Sequence, residues 1–283
     1  MSDRALGTLA CGAGLWLSAC SLAVDADRQQ CATDADCSRL GPAFEDGVCV
    51  DALCRTRPDP RWDCLDEEQT ALDAPVPERV RVIVPIVDVV TGQRVPGVEV
   101  MACGGLDGEC VMPLATSVTN QQGESDLLLP GGFNGYLRCE APNIFPTLYF
   151  FGAPLTGDAT ALVNVVTPAV VQGLDSQSAE VSAPGRPVVV VDALDCTGAP
   201  AAGVRVSIPE GDSATIVSYM VDGLYPPSQT ETSSSGVARI LNIDEGNVTI
   251  NGRLFDGRSI GSAAVLTRQG FVTLANLRAG QSP

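Results

Sequence analysis

The chain has 283 residues with 17 cationic side chains, all Arg, against 34 Asp and Glu, for a net charge of −17; it contains no Lys and no His. Without His there is no Ser-His-Asp triad, Cys-His pair or His-ligated zinc, and without Lys there is no Schiff base and no phosphate-loop lysine. The charge repels a polyanion, so nucleic acid is not expected as a partner, and no cofactor or metal is called for.

In chain order, residues 1–19 read as an export signal. Ala5–Ala19 is apolar or small, too short for the roughly 20 residues of a membrane-spanning helix but suited to a signal's apolar region. It ends in Leu17-Ser18-Ala19-Cys20, which resembles the bacterial lipobox. The resemblance implies cleavage before Cys20 and lipidation of that cysteine, with the membrane reached through the lipid. Ser21, rather than Asp, follows Cys20, which implies an outer-membrane lipoprotein, periplasmic or surface-exposed.

Residues 20–30 form a tether, and residues 31–64 a cysteine-rich module holding Cys31, Cys37, Cys49, Cys54 and Cys64. So few apolar residues accompany these cysteines that crosslinks must replace a core, and an exported chain meets an oxidising compartment. Disulfides are expected rather than a metal cluster, because C-x2-C pairs and His are both missing. Four cysteines allow three pairings, which sequence does not resolve. Asp34 and Asp36 read as turn acids, since no D-x-D-x-D-G loop surrounds them. Cys103 and Cys110 flank a short Gly-rich stretch and make a further candidate pair; Cys64, Cys139 and Cys196 have no evident mates. Nine cysteines besides Cys20 and the signal's own Cys11 is an odd number, so one is free or pairs between chains.

Residues 65–78 (LDEEQTALDAPVPE) are an acidic linker. Strand patterning then begins, with candidates at Arg79–Val90, Val98–Cys103, Ala115–Thr119, Ser125–Leu129, Gly135–Glu140, Thr147–Phe151 and Thr160–Val166, separated by Gly, Pro, Asn or Asp. The opening pattern recurs: Val84–Val100 aligns with Val189–Val206, each a strand, a Thr-Gly turn and a Gly-Val-x-Val strand, and Thr119–Gly123 aligns with Ser233–Gly236. The chain is therefore expected to be all-β, with two tandem seven-stranded Greek-key sandwiches at 79–166 and 187–277. A linker at 167–186, in which Pro168–Leu174 is compatible with a short helix, separates them, and 278–283 is a tail.

The run Thr91-Gly-Gln-Arg-Val-Pro-Gly-Val-Glu-Val100, then Thr119–Gly123, then Leu129-Pro-Gly-Gly-Phe-Asn-Gly-Tyr136 resembles the carboxypeptidase regulatory-like, or transthyretin-like, domain. The resemblance implies a prealbumin or Ig-like sandwich and no activity, since such domains serve as accessories and repeat units. The second copy departs by inserting Pro209–Glu231.

No catalytic residues are expected. Gly257-Arg-Ser-Ile-Gly261 matches the nucleophile-elbow pattern but lies in hairpin sequence with no His to serve it. The chosen contact site is the inserted loop, with Tyr219, Tyr225, Pro226 and Pro227, because loops at sandwich ends carry recognition. The function expected is non-enzymatic display of two sandwich modules for adhesion or for contacts with an envelope protein or polysaccharide. The alternative is a passive spacer, and a hydrolase using carboxylates is the weakest reading.

Overall fold

The computed structural model describes residues 31–41, 47–50, 52–55, 59–65, 76–105, 107–167 and 185–280. The signal, Cys20 and the segment Pro168–Leu174 lie outside the described residues. The chain divides into two compact units, Met1–Pro58 and Asp59–Pro283.

The first unit is held by crosslinks, as its sparse apolar content requires. Helix α1 (Asp34–Cys37) is one turn, and β1 (Val48–Val50) pairs antiparallel with β2 (Leu53–Arg55). Disulfides Cys31–Cys49 and Cys37–Cys54 staple the turn to the hairpin. The acids organise backbone: Asp36 accepts the N–H groups of Ala32 and Thr33 at 3.0 and 2.9 Å, and Asp34 accepts that of Cys49 at 2.9 Å.

The second unit is built from β3 (Arg79–Asp88), β4 (Glu99–Gly104), β5 (Ala115–Val118), β6 (Glu124–Pro130), β7 (Gly135–Glu140), β8 (Thr147–Phe150), β9 (Ala159–Thr160) and β10 (Val163–Val165) in the first copy. The second copy supplies β11 (Val188–Leu194), β12 (Val204–Ser207), β13 (Ile216–Tyr219), β14 (Val237–Leu241), β15 (Gly246–Leu254), β16 (Ser259–Thr267) and β17 (Val272–Arg278). Among the described residues, 6% are helical and 46% are in strands.

The repeat is visible as repeated hydrogen bonding. Asp88 Oδ1 accepts from the N–H of Thr91 (2.8 Å) and from its hydroxyl; Asp195 Oδ1 does the same with Thr197 (2.9 and 2.7 Å). Buried Thr119 accepts the Val98 N–H at its hydroxyl, and buried Thr232 accepts that of Val204. Thr232, rather than Ser233, is thus the counterpart of Thr119. Gly123 and Gly236 follow with φ of 68° and 70°, and a Cβ at Gly236 would lie 2.6 Å from the Ala193 oxygen, so only glycine fits.

The sheets do not close into two separate sandwiches. Strands β13-β14-β11-β17-β8-β7-β4-β5 form one eight-stranded sheet that runs through both copies. The join is β17, which pairs in parallel with β11 on one side and with β8 on the other. A sheet of β10-β3-β6, with β9 also on β3, covers one face over the first copy, and β12-β15-β16 covers the opposite face.

Side-chain alternation on β17 explains why the join holds. Val272 and Leu274 enter the core with Val80, Val82, Leu129 and Leu137; Ala275 and Leu277 enter the core with Val189, Val191, Ile250 and Ile260. A strand buried on both faces sits in mid-sheet rather than at the edge of an independent domain. Burying Leu274 and Leu277 on opposite faces contributes about 1.5–3 kcal/mol each.

A second join was not expected. Cys64 belongs not to the 31–64 module but to the larger unit: the short 3-10 helix Pro60–Leu65 buries Trp62 in the core of the second copy, and Cys64 is bonded to Cys196. The backbone seals the contact, with the Cys196 N–H donating to the Arg61 oxygen at 3.0 Å.

Candidate functional site

The inserted segment of the second copy does not place its four named residues together. Tyr219 is on strand β13, 5% exposed, and its hydroxyl accepts the Val206 N–H at 2.9 Å. It is a core residue rather than a loop contact, because odd positions on β13 face the β12-β15-β16 sheet. Beyond it, Asp222 and Gly223, with φ of 50° and 79°, turn the chain between mutually bonded Val221 and Leu224, as a two-residue type I′ hairpin does. The chain folds back so that the Tyr225 ring lies 4.0 Å from the Arg239 guanidinium on β14. Pro226 is half-buried behind it and Pro227 is exposed.

That fold-back encloses a polar group of residues. Register places Ser218 opposite Arg239, Arg239 opposite Val190, Val190 opposite Leu274 and Leu274 opposite Tyr149, so these five share a face. One step along, Asp192 is opposite Asn276 on the same face. The Asn276 amide donates to the Tyr149 hydroxyl at 2.9 Å and to the Phe150 oxygen at 3.0 Å. Burial pushes the Asp192 carboxyl up to about 6. Burial likewise raises Tyr149 and Tyr225, both of which feel the Asp192 charge. Sequence reading passed over Asp192, although an acid after Val188–Val191 and an Arg within Val237–Leu241 both interrupt apolar strands.

A second candidate surface is the loop after β4. Cys103–Cys110 closes it, and Asp107 accepts the N–H groups of Val111 and Met112 at 3.1 and 3.0 Å. These bonds hold the Asp107 carboxyl below its usual range, that of Met112 contributing most. The Tyr136 hydroxyl donates to the Asp107 oxygen at 2.7 Å, and Arg138 donates to the Glu109 oxygen at 3.1 Å. From the second copy, Arg268 reaches the Glu109 carboxylate at 2.6 Å and the Gly108 oxygen at 3.2 Å. Held from both copies, the loop nevertheless leaves Val111, Met112 and Leu114 exposed at 75%, 80% and 55%. An open depression of about 630 Å³ lies among these three, Gly104, Gly105 and Asp107.

Other candidates resolve into structure. Cys31, Cys37 and Cys54 bring their sulfurs within 4.8 Å of one another, but each is in a disulfide, so no thiolate is present to ligate a metal. Cys139 is the free thiol among the described residues; it is buried and pushed up to about 12 by that burial, which leaves it unreactive. Gly257 of the Gly-x-Ser-x-Gly match is a hairpin turn with φ of 88°, and Ser259 begins β16, so no strand-to-helix elbow exists there. Among the described residues no helix is long and apolar enough to cross a membrane.

No protein-family model matches the chain, and no curated protein matches it. Among solved structures it is similar to GBS52, the minor pilin of Streptococcus agalactiae, at 14% identity over 72% of this chain and 98% of that one, with a TM-score of 0.23. It is similar to the shaft pilin SpaA of Lactobacillus rhamnosus GG at 12% identity over 73% and 99%, with a TM-score of 0.21. With the Bacillus anthracis TIE protein it shares 11% identity over 71% of this chain at a TM-score of 0.23, and spans 34% of that protein's length.

Proposed function

We propose that the chain is a non-enzymatic, lipid-anchored envelope protein, held at the outer membrane through Cys20, that presents its β-rich body for adhesion or envelope assembly. The Leu-Ser-Ala-Cys20 sequence supports the anchor, and a composition without His or Lys supports the lack of catalysis. The two copies are carboxypeptidase regulatory-like units in this reading, supported by the matched turns at Asp88 and Asp195 and at Thr119 and Thr232.

The observation that carries the contact role is the braced loop. Exposed apolar side chains are ordinary when scattered, but here three lie within four residues on a loop fixed by a disulfide, an Asp turn and an Arg from the other copy. A pre-ordered apolar loop loses little conformational entropy on binding, which suits it to a protein partner. The partner proposed for this surface is an envelope protein.

A photo-crosslinking residue at Met112 in the full chain, activated in native envelopes, tests this. The expected result is one dominant protein adduct, reduced at least tenfold when Val111 and Leu114 are replaced by Ser. No adduct above that from a control position on β6 contradicts the binding role and leaves the passive spacer.

A further inference from the structure

An open sheet has two edge strands whose backbone groups are free to pair, and proteins ordinarily blunt such edges with charge or cover them. The eight-stranded sheet ends in β13 and β5. None of the four residues of β13 is exposed, and β6, at an edge of a smaller sheet, carries Glu124 and Asp126. β5 has neither protection. Thr116 is exposed, Val118 is 58% exposed and Leu114, just before the strand, 55%. No charged residue lies between Cys110 and Gly123, in a chain with 17 cationic and 34 acidic side chains.

The ladder shows which backbone groups this edge offers. The Thr119 N–H donates to the Val98 oxygen at 2.9 Å, and the register runs on through Ser117 opposite Val100 and Ala115 opposite Ala102. In antiparallel alternation these residues bond inward to β4, and Thr116 and Val118 turn their N–H and C=O groups outward. Leu114, Thr116 and Val118 occupy alternate positions and so share one face. Read in either direction, that face is apolar, Thr, apolar.

We infer that β5 pairs antiparallel with β5 of a second molecule of this chain, about a two-fold axis at Thr116. In that register each Thr116 lies opposite its counterpart and exchanges N–H···O bonds with it. Each Leu114 lies opposite the other molecule's Val118, whose N–H meets the Leu114 oxygen. A two-fold joint must be self-complementary, and Leu–Val, Thr–Thr and Val–Leu are favourable cross-strand pairs. Two molecules of net charge −17 repel one another, and this edge lets them meet without burying an acid. The braced loop directly precedes β5, so Val111 and Met112 of the two molecules close opposite ends of the joint. With Val111, Met112, Leu114 and Val118 between 55% and 80% exposed, several hundred Å² of apolar surface per molecule is available, on the scale of the ~800 Å² per partner of a specific interface. The inference names the partner of the braced-loop surface and rests on that reading for the loop's share of the contact.

Cysteine crosslinking of the full chain in native envelopes, with copper phenanthroline and air as oxidant, tests the partner and the register together. A directly opposed, bonded pair has its Cα atoms about 5.5 Å apart, within disulfide reach, so Thr116→Cys should give a covalent dimer of twice the chain mass. The two Val118 positions are offset by four residues, about 13 Å along the strands, so Val118→Cys alone should give at least tenfold less. Leu114→Cys and Val118→Cys chains expressed together should crosslink to each other. Adding Val118→Lys to Thr116→Cys should lower the dimer yield at least tenfold, with an unaltered circular dichroism spectrum because the site is exposed. The wild-type chain sets the background; its Cys139 thiol is buried. No dimer from Thr116→Cys above that background, or equal yields from Thr116→Cys and Val118→Cys, overturns the inference. A Met112 photo-adduct with a different protein, and no Thr116→Cys dimer, overturns the second molecule as partner and leaves the braced-loop contact standing.

Discussion

Replacing Cys64 and Cys196 together by Ser is expected to cause the largest loss of stability of any paired cysteine change in this chain. The bridge closes a loop with a sequence separation of 132. In the chain-entropy description, a loop of that length constrains the unfolded state by about 5 kcal/mol. The Cys103–Cys110 bridge, with a separation of 7, gives about 2.5 kcal/mol in the same description. For a body of this size the melting temperature should drop by about 10–20 °C for the first pair and by about 5–10 °C for the second. The first change also frees the segment that seats Trp62, which is 4% exposed in the core of the second copy. Thermal unfolding of both double variants under oxidising conditions gives the comparison. An equal or smaller drop for Cys64/Cys196 contradicts the placement of residues 59–65 on the second copy.

Asp192→Asn is expected to do the opposite and stabilise the protein at neutral pH. Burial raises the carboxyl from an ordinary 3.8 to about 6, and no hydrogen bond reverses it. Between these values the folded chain binds a proton that the unfolded chain releases, so stability falls as pH rises from about 4 to about 6 and stays lower above. A shift of about two units corresponds to about 3 kcal/mol at most, of which about 1–3 kcal/mol should be recovered by the amide. Denaturant titrations at pH 4 and pH 7 give the result: near-equal stability at pH 4 and a more stable variant at pH 7. A variant less stable at both would mean that Asp192 is held by a favourable partner.

Strands were legible in the sequence because their causes are local. The β-branched run at Arg79–Asp88, the Thr-Gly turns and the Gly123 and Gly236 positions fix backbone conformation within a few residues, and the repeated Asp and Thr hydrogen bonds bear out why the two copies align. The shared sheet was not legible. Whether β17 closes a sandwich or joins two depends on which edge β8 leaves open, a relation between residues about 125 apart. Its one local trace is that Val272, Thr273, Leu274 and Ala275 are apolar or small on both faces, where a sheet with one wetted face would alternate. Cys64–Cys196 was hidden for the same reason. Tyr225 was identified as a contact for its place in the inserted loop; its place over Arg239 follows from the Asp222-Gly223 turn, which was present in the sequence but unread.

The account rests on the two copies being one body, because the β8–β17 seam brings Tyr149 to Asp192 and the second copy's Arg268 to the first copy's braced loop. Native-state hydrogen exchange of the full chain tests this most directly. Amides of Leu148 and Phe150 on β8, Leu274 on β17 and Val191 on β11 are predicted to open together, at the free energy of global unfolding, in one cooperative step. Separate opening of the first copy, with weakly protected seam amides and strongly protected β11 and β14, would contradict a shared sheet and return the protein to two modules joined by a linker.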